Sequence, residues 1–497
     1  MKYIISIDQG TTGTTIALIE TNTFNLIYKV NNEFKQIYPE PGQVEHNLED
    51  IWESVKTGLK DVSEKYNLSK ENIQSIGITN QRETTCAFQK DGTPLYNAIV
   101  WQDRRTIPFC ESIKSRNLEK GIIEKTGLLM DPYFSGSKIN WLINNSIKVQ
   151  NAKGEGNLLF GTIDTFLLYK LTNCKSYCTD TTNASRTLLM DIETCRWDEE
   201  LCDLFQVNQL ELPEIRDSIS SFGKTEGLGF LPDGIEICGI LGDQQAALFG
   251  QAGIKEGDAK CTYGTGAFAL INTGSERKKS NNGLLSTVAY SHEGITKYAL
   301  EGSSYIAGAA VQWFRDNLHF FKTAKEIESL AKEVKNLDHL KSLFFFPYFS
   351  GIGTPFWKPE AKACLLGMTR DTNKSHLSRA CLEGIALSIE DLFFSLRNDS
   401  GMDIEEIKVD GGAVANDLLC QIQASFSNCK IIRPSVIETT AYGAALASAV
   451  GCGILTLNDL QNFWKSDAIF KASDKEYYIH KKKSWKNYQE IIYLNNT

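Results

Sequence analysis

Two short stretches, about half a chain apart, constrain this sequence most. Tyr3 to Ile7 is an apolar, β-branched run that passes through Asp8-Gln9 into Gly10-Thr11-Thr12-Gly13, and Thr14 to Ile19 is apolar again. Far downstream, Cys261-Thr262-Tyr263 leads into Gly264-Thr265-Gly266, and Ala267 to Ile271 follows. Each reads as a strand, a glycine- and hydroxyl-rich turn, and a return strand. A hairpin repeated at this separation predicts duplicated domains with a cleft between them. The small-residue segment around Gly250 to Gly257 marks the boundary, giving domains 1–250 and 251–497.

The rest of the chain alternates strand-like and helix-like segments, the pattern of an α/β protein. Leu48 to Tyr66 has helical spacing, with Ile51, Val55, Leu59 and Val62 on one face. Ile73 to Thr79 reads as a strand ending in Asn80-Gln81-Arg82-Glu83, and another strand ends at Val100-Trp101. Leu241 to Ala247 is a strand-to-helix corner carrying Asp243. Ile404 to Val409 is a strand turned by Asp410-Gly411-Gly412-Ala413; Asn416 to Phe426 follows as a helix. Thr440 to Val450 is a helix of small residues, suited to lying close against a neighbouring backbone.

Composition removes several classes of function. The balance of 52 Lys and Arg against 61 Asp and Glu, net −9, argues against non-specific binding to nucleic acid or membrane surfaces. No apolar run approaches the roughly 20 residues of a membrane span. The 13 Cys lack any Cys-x-x-Cys pair, which suits reduced thiols in a cytoplasmic protein. Gly223-Lys224-Thr225 imitates the end of a P-loop, but Ser218 stands where that motif needs glycine. There is no dinucleotide-binding glycine fingerprint and no His-Glu-x-x-His zinc motif.

What remains is three glycine turns at strand ends, at Gly10, Gly264 and Gly411. Glycine lets a backbone approach an anion, and neighbouring Thr hydroxyls donate to phosphate oxygens. Asp8, just before the first turn, is placed to hold Mg²⁺ near phosphates. Asp243 is a candidate to orient a hydroxyl and accept its proton in phosphoryl transfer. Arg82-Glu83 offers a donor and an acceptor side by side for a hydroxylated substrate. Taken alone, any one turn reads as an ordinary hairpin and Arg82-Glu83 as a surface ion pair; the conjunction points to phosphate chemistry.

Asp8 to Thr12, Asn80 to Thr85, Trp101 to Arg105, Gly242 to Gln245, Thr262 to Gly266 and Asp410 to Asn416 together resemble the FGGY family of carbohydrate kinases. Tyr133 to Leu142 and Leu366 to Leu377 are similar to further family signatures. Gln81 to Thr85 and Trp101 to Arg105 resemble the members that phosphorylate glycerol rather than sugars.

The resemblance implies two ribonuclease H-like domains of the actin, Hsp70 and hexokinase type, with ATP, Mg²⁺ and substrate meeting in the cleft. By that likeness Arg82, Glu83, Tyr133, Asp243 and Gln244 hold glycerol, Trp101 and Phe268 flank its carbons, and Asp243 is the general base. Thr11, Thr12 and Thr265 contact the nucleotide phosphates; Gly308, Gln312, Gly412 and Asn416 surround the rest. Asp8 and Asp243 hold Mg²⁺. A homodimer with no nucleic-acid partner is expected. Alternatives are a kinase for another polyol or a ketose, or a non-catalytic actin-like ATPase.

Two departures from the family stand out. Thr15 occupies a position where members commonly carry Arg. Leu231 to Glu236 lacks the Arg of a bisphosphate-binding loop, so that inhibitor site is not expected.

Overall fold

In the computed structural model, which describes residues 1–473 and 475–494, both hairpins belong to one continuous sheet. Residues 474 and 495–497, within the expected second domain, lie outside the described residues. The strands are β1 (Tyr3–Gln9), β2 (Gly13–Glu20), β3 (Leu26–Glu33), β4 (Ile73–Asn80), β5 (Ile219–Lys224), β6 (Glu236–Gly242), β7 (Ala259–Tyr263), β8 (Ala267–Gly274), β9 (Leu285–His292), β10 (Ile295–Ser304), β11 (Glu406–Asp410), β12 (Lys430–Pro434) and β13 (Ser466–Phe470). Among the described residues their order is β13-β12-β11-β7-β8-β10-β9-β5-β6-β4-β1-β2-β3.

The duplication is explicit in that order. In the first half β3, β2 and β1 pair antiparallel, then β4 and β6 continue parallel to β1. In the second half β10, β8 and β7 pair antiparallel, then β11 and β12 continue in parallel. The halves join where β5 pairs antiparallel with β6 and meets β9 at the single pair Ile219 and His292.

The helices that position the site are α1 (Leu48–Tyr66), α2 (Ser135–Asn145), α3 (Asp243–Gly250), α4 (Gly308–Asp316), α5 (Lys374–Ser400), α6 (Asp417–Ser427) and α7 (Thr439–Gly451). Alternation along the strands assigns the layers. Ile5, Ile7, Ile16 and Leu18 face the Ile51, Val55, Leu59 and Val62 stripe of α1. Ile4, Ala17 and Ile19 face Ala441, Ala445 and Leu446 of α7. The α1 stripe is the one its spacing predicts; the Asn47 side chain caps its start, and Asn67 ends it in the left-handed conformation at φ 49°. In the second half Ala267, Ala269 and Ile271 pack with α5, and Leu270 faces the α3 and α7 layer. No helix among the described residues is long and apolar enough to cross a membrane, and the cysteines are free thiols.

Helix α7 ties the halves together. In the chain it lies between β12 and β13 of the second half, yet it packs across β4, β6 and α3 of the first half. A Cβ on Gly77 of β4 would meet the Ala444 carbonyl oxygen at 2.1 Å, and one on Gly239 of β6 would meet the Ser448 nitrogen at 2.6 Å. The tightest approach is at Gly443, where a Cβ would fall 1.8 Å from the Ala246 carbonyl oxygen of α3. The small residues of α7 thus set the helix–sheet distance.

Gly443→Ala is expected to cost at least about 1–3 kcal/mol, because backbone, not a movable side chain, must give way. Gly121→Ala, at a helical position where a Cβ meets nothing within 4 Å, is the control and leaves the melting temperature unchanged or slightly raised. Thermal unfolding of both variants checks the difference.

Candidate active site

Three parallel strands end level at one edge of the cleft. Gln9 of β1 lies opposite Asn80 of β4, and Asn80 opposite Gly242 of β6. The chain therefore delivers the Gly10 turn, the Arg82-Glu83 turn and Asp243 side by side. Gln81 locks the first two: its Nε2 donates to Gln9 Oε1 at 3.0 Å, and its backbone N–H donates to the Gln9 carbonyl at 2.7 Å. Glu83 sits at φ 62°, an unfavourable backbone for a residue with a Cβ, of the kind that concentrates at working sites.

Arg82 and Glu83 are not on the surface. They are 2% and 1% exposed, and a surface ion pair is thereby excluded. Arg82 forks onto Glu301 of β10, with Nη1 donating to Oε2 at 2.6 Å and Nη2 to Oε1 at 3.0 Å. Its Nε lies 3.0 Å from Asp243 Oδ1. Arg186, fully buried, donates from Nε to Glu83 Oε1 at 2.6 Å and from Nη2 to Glu301 Oε1 at 3.2 Å. Burial pushes the Glu301 carboxyl up, but Arg186 and Arg82 outweigh it and hold it at about 2. Burial also pushes Glu83 up, and its two arginines only partly offset that.

The second half supplies the opposite wall. Register places Lys260, Thr262, Phe268, Glu301 and Ser303 on one face of β7, β8 and β10. Lys260 is buried there and donates to Gln244 Oε1 at 2.5 Å and to Thr262 Oγ1 at 2.8 Å. Asp243 is the first residue of α3, where its Oδ1 accepts the Gln244 backbone N–H at 2.7 Å. Its side chain is 33% exposed, so this acid opens to the cleft.

Trp101 and Tyr133 form an aromatic corner, with ring centroids 5.7 Å apart in an edge-to-face arrangement. Trp101 Nε1 donates to Thr11 Oγ1 at 3.0 Å, tying this corner to the first glycine turn. Thr12 is exposed at the tip of that turn. Buried Lys138 of α2 holds the other side, donating to the Tyr133 and Phe134 carbonyls at 2.5 and 3.1 Å.

Thr265, Gly308, Gln312, Gly412 and Asn416 line a single cavity of about 480 Å³ in the second half, together with Val311, Ile327 and Leu419. Gly308 and Gly411 are required by close approach: a Cβ at either would meet the Gly264 or Tyr263 carbonyl oxygen at 2.7 or 2.6 Å. Gly412 faces open space, with nothing within 4 Å of a Cβ. Thr11 and Thr12 are not in this cavity; they stand on the first-half hairpin.

Asp8 and Asp243 are close enough to repel. Burial, then Asp243 and Glu438, raise the Asp8 carboxyl to about 8. The repulsion that Asp8 feels from Asp243 is of the kind a hard divalent cation would relieve, and Mg²⁺ needs only one or two carboxylates beside substrate phosphates. Among the described residues no group of three or more His, Cys, Asp or Glu forms a metal cluster. Thr15, in place of an Arg, donates to Asn31 Oδ1 at 3.1 Å, while Lys29 on β3 pairs with Glu438 at the start of α7.

Sequence reasoning missed Arg186 as a site residue, and Glu301 and Lys260 altogether. The available signal was weak: Glu301 is a lone acid in the run Tyr298-Ala299-Leu300-Glu301-Gly302, and Lys260 alternates with apolar neighbours like an ordinary surface lysine.

Residues 3–250 match the N-terminal domain, and residues 259–452 the C-terminal domain, of the FGGY family of carbohydrate kinases. The glycerol kinase of Myxococcus xanthus is 47% identical over 479 residues, 95% of this chain and 96% of that one. The crystal structure of Plasmodium falciparum glycerol kinase with ADP superimposes with a TM-score of 0.92 at 35% identity, covering 99% of this chain and 98% of that one. A ligand-bound xylulose kinase from Lactobacillus acidophilus shares the fold, with a TM-score of 0.88 at 23% identity and coverage of 99% and 98%. The expected two-domain α/β architecture is borne out, and the chain belongs to the FGGY family of carbohydrate kinases.

Proposed function

We propose that the protein transfers the γ-phosphate of ATP to a terminal hydroxyl of glycerol, giving sn-glycerol 3-phosphate. The observation that carries this reading is the contact between Arg82 and Asp243. The buried Arg82 guanidinium lies 3.0 Å from the Asp243 carboxylate, whose side chain is 33% exposed, and this pairing supports a donor and a base side by side for a hydroxyl. Relatives named glycerol kinase along almost the whole chain support the choice of glycerol over a ketose, which the fold alone does not make.

In this reading residues 1–250 hold glycerol and residues 251–497 hold the nucleotide. Arg82 and Glu83 bind the hydroxyls at one end of the triol, with Tyr133 and Gln244 completing the polar lining. Trp101 and Phe268 flank the carbon chain. Asp243 accepts the proton of the attacking hydroxyl. Thr11, Thr12 and Thr265 steady the phosphates, and the cavity around Gly308, Gln312, Gly412 and Asn416 takes the rest of the nucleotide. Mg²⁺, held through Asp8 and Asp243, supplies neutralisation of phosphate charge when bound. Closure of the halves excludes water, which at about 55 M competes with the alcohol as nucleophile. Free thiols throughout the chain support a cytoplasmic setting.

Asp243→Asn is expected to lower kcat by about 10²–10⁴-fold, with ADP affinity nearly unchanged. Steady-state kinetics and calorimetry separate the two, and near-normal turnover would remove Asp243 as the base.

Gly412→Val adds bulk on the cavity wall at a position where a Cβ meets nothing within 4 Å. It should weaken ADP binding by at least roughly tenfold, with no change in the melting temperature of the free protein.

Asp8 gives the third test. Its folded carboxyl keeps a proton to about pH 8, whereas the ordinary value is 3.8. The unfolded state thus binds fewer protons in between, and this group withdraws stability as pH rises from 3.8 towards about 8. In a chelator, Asp8→Asn should flatten that decline in melting temperature, and it should lose the stabilisation that Mg²⁺ gives the parent protein at pH 8.

A further inference from the structure

Every buried charge on Arg82 and Glu83 is answered by two residues that the proposed chemistry does not use. Glu301 grips Arg82 through both of its oxygens, at 2.6 and 3.0 Å. Arg186 grips Glu83 at 2.6 Å and also reaches Glu301 at 3.2 Å. Without Arg186, the cation nearest to the buried Glu83 carboxylate is Arg82, whose Nε is 3.9 Å away. The four side chains are each no more than 2% exposed. A buried ionic network of this kind adds little to stability over well-packed apolar residues, but it fixes orientation, and breaking one member leaves a charge unpaired.

The anchoring of the two partners is as informative as their contacts. Glu301 lies within β10, opposite Leu270 of β8 and Leu285 of β9, in the interior of the second-half sheet. Arg82 comes from the turn after β4 in the first half. Arg186 follows a short helical turn, Thr181–Ala184, whose start is capped by the Asp180 carboxylate. It packs over the Phe134 ring at 5.2 Å and the Tyr133 ring at 5.9 Å, beside the proposed carbon-chain pocket. Among the described residues Arg82 Nε makes no well-aligned hydrogen bond, although it lies 3.0 Å from Asp243 Oδ1. Glu301 takes one N–H from each Nη, and Nη1 also donates to Gln245 Oε1 at 3.3 Å, which leaves Nε and the second N–H of Nη2 without a well-aligned acceptor among the described residues.

We propose that Glu301 and Arg186 are positioning residues for the polyol: Glu301 sets Arg82 from the opposite half of the molecule, and Arg186 sets Glu83 while bracing Glu301. This rests on the glycerol-phosphorylating reading of the site. The pair acts on substrate binding and alignment, not on the nucleotide, so its loss should split the two Michaelis constants.

The test is steady-state kinetics of the parent protein with Glu301→Gln, Arg186→Met and Arg186→Lys, alongside thermal unfolding. Glu301→Gln keeps the shape and removes the charge; Arg186→Lys keeps the charge and loses the fork. Glu301→Gln and Arg186→Met should raise the glycerol KM by at least roughly tenfold, the worth of a charged hydrogen bond, while the ATP KM moves less than about threefold. Arg186→Lys should recover part of the glycerol KM. Glycerol should no longer raise the melting temperature of Glu301→Gln, although ADP still does. An active parent whose variants keep the parental glycerol KM would overturn the proposal alone. So would equal losses for glycerol and ATP that track a fall in melting temperature, with Arg186→Lys no better than Arg186→Met. A parent with no glycerol-dependent turnover would overturn the functional reading along with it.

Discussion

The ion pair between Arg82 and Glu301 is the constraint around which the cleft is organised. Taking a guanidinium and a carboxylate out of water is costly unless geometry compensates, and here the fork geometry is bidentate. The pair also spans the molecule, because Arg82 belongs to the first half and Glu301 to the second. Asp243 contacts the same guanidinium from the side that opens to the cleft. One desolvated contact thus relates the proposed substrate-binding turn, the acid beside it and the far wall.

The fold makes that contact possible by repetition. Each half ends its parallel strands at the cleft, so both hairpin turns arrive at strand ends. The halves are held in one sheet by β5 and overlapped by α7, which lies between β12 and β13 of the second half in the chain but packs mainly on the first half. Backbone approaches too close for a Cβ, as between Gly443 and Ala246, leave α7 a single seating. The Lys29 contact with Glu438 sits at the start of this helix, near Asp8. It brings a cation to the region where Thr15 supplies none.

Local features were legible in the sequence because they are written in neighbouring residues. The strand–glycine–strand turns, the stripe of α1, the corner at Asp243 and the small-residue face of α7 each depend on spacing within a dozen or so positions. Of the residues singled out for phosphate and hydroxyl chemistry, Thr265, Gly308, Gln312, Gly412 and Asn416 line one cavity, while Arg82, Glu83 and Asp243 cluster where β4 and β6 end. Burial was not legible. Arg82-Glu83 read equally well as a surface pair, since what hides it lies more than 100 residues away, at Arg186 and Glu301. Glu301 carries no motif: a single acid in a strand looks like alternation until its partner is known. Lys260 escaped for the same reason.

The most direct test of the account is a crystal structure of the protein with glycerol and ADP. The account predicts glycerol between the Trp101 and Phe268 rings, a terminal oxygen within hydrogen-bonding distance of Asp243, and Arg82 still forked on Glu301. Glycerol bound elsewhere, or Asp243 turned away from every hydroxyl in a closed cleft, would contradict it.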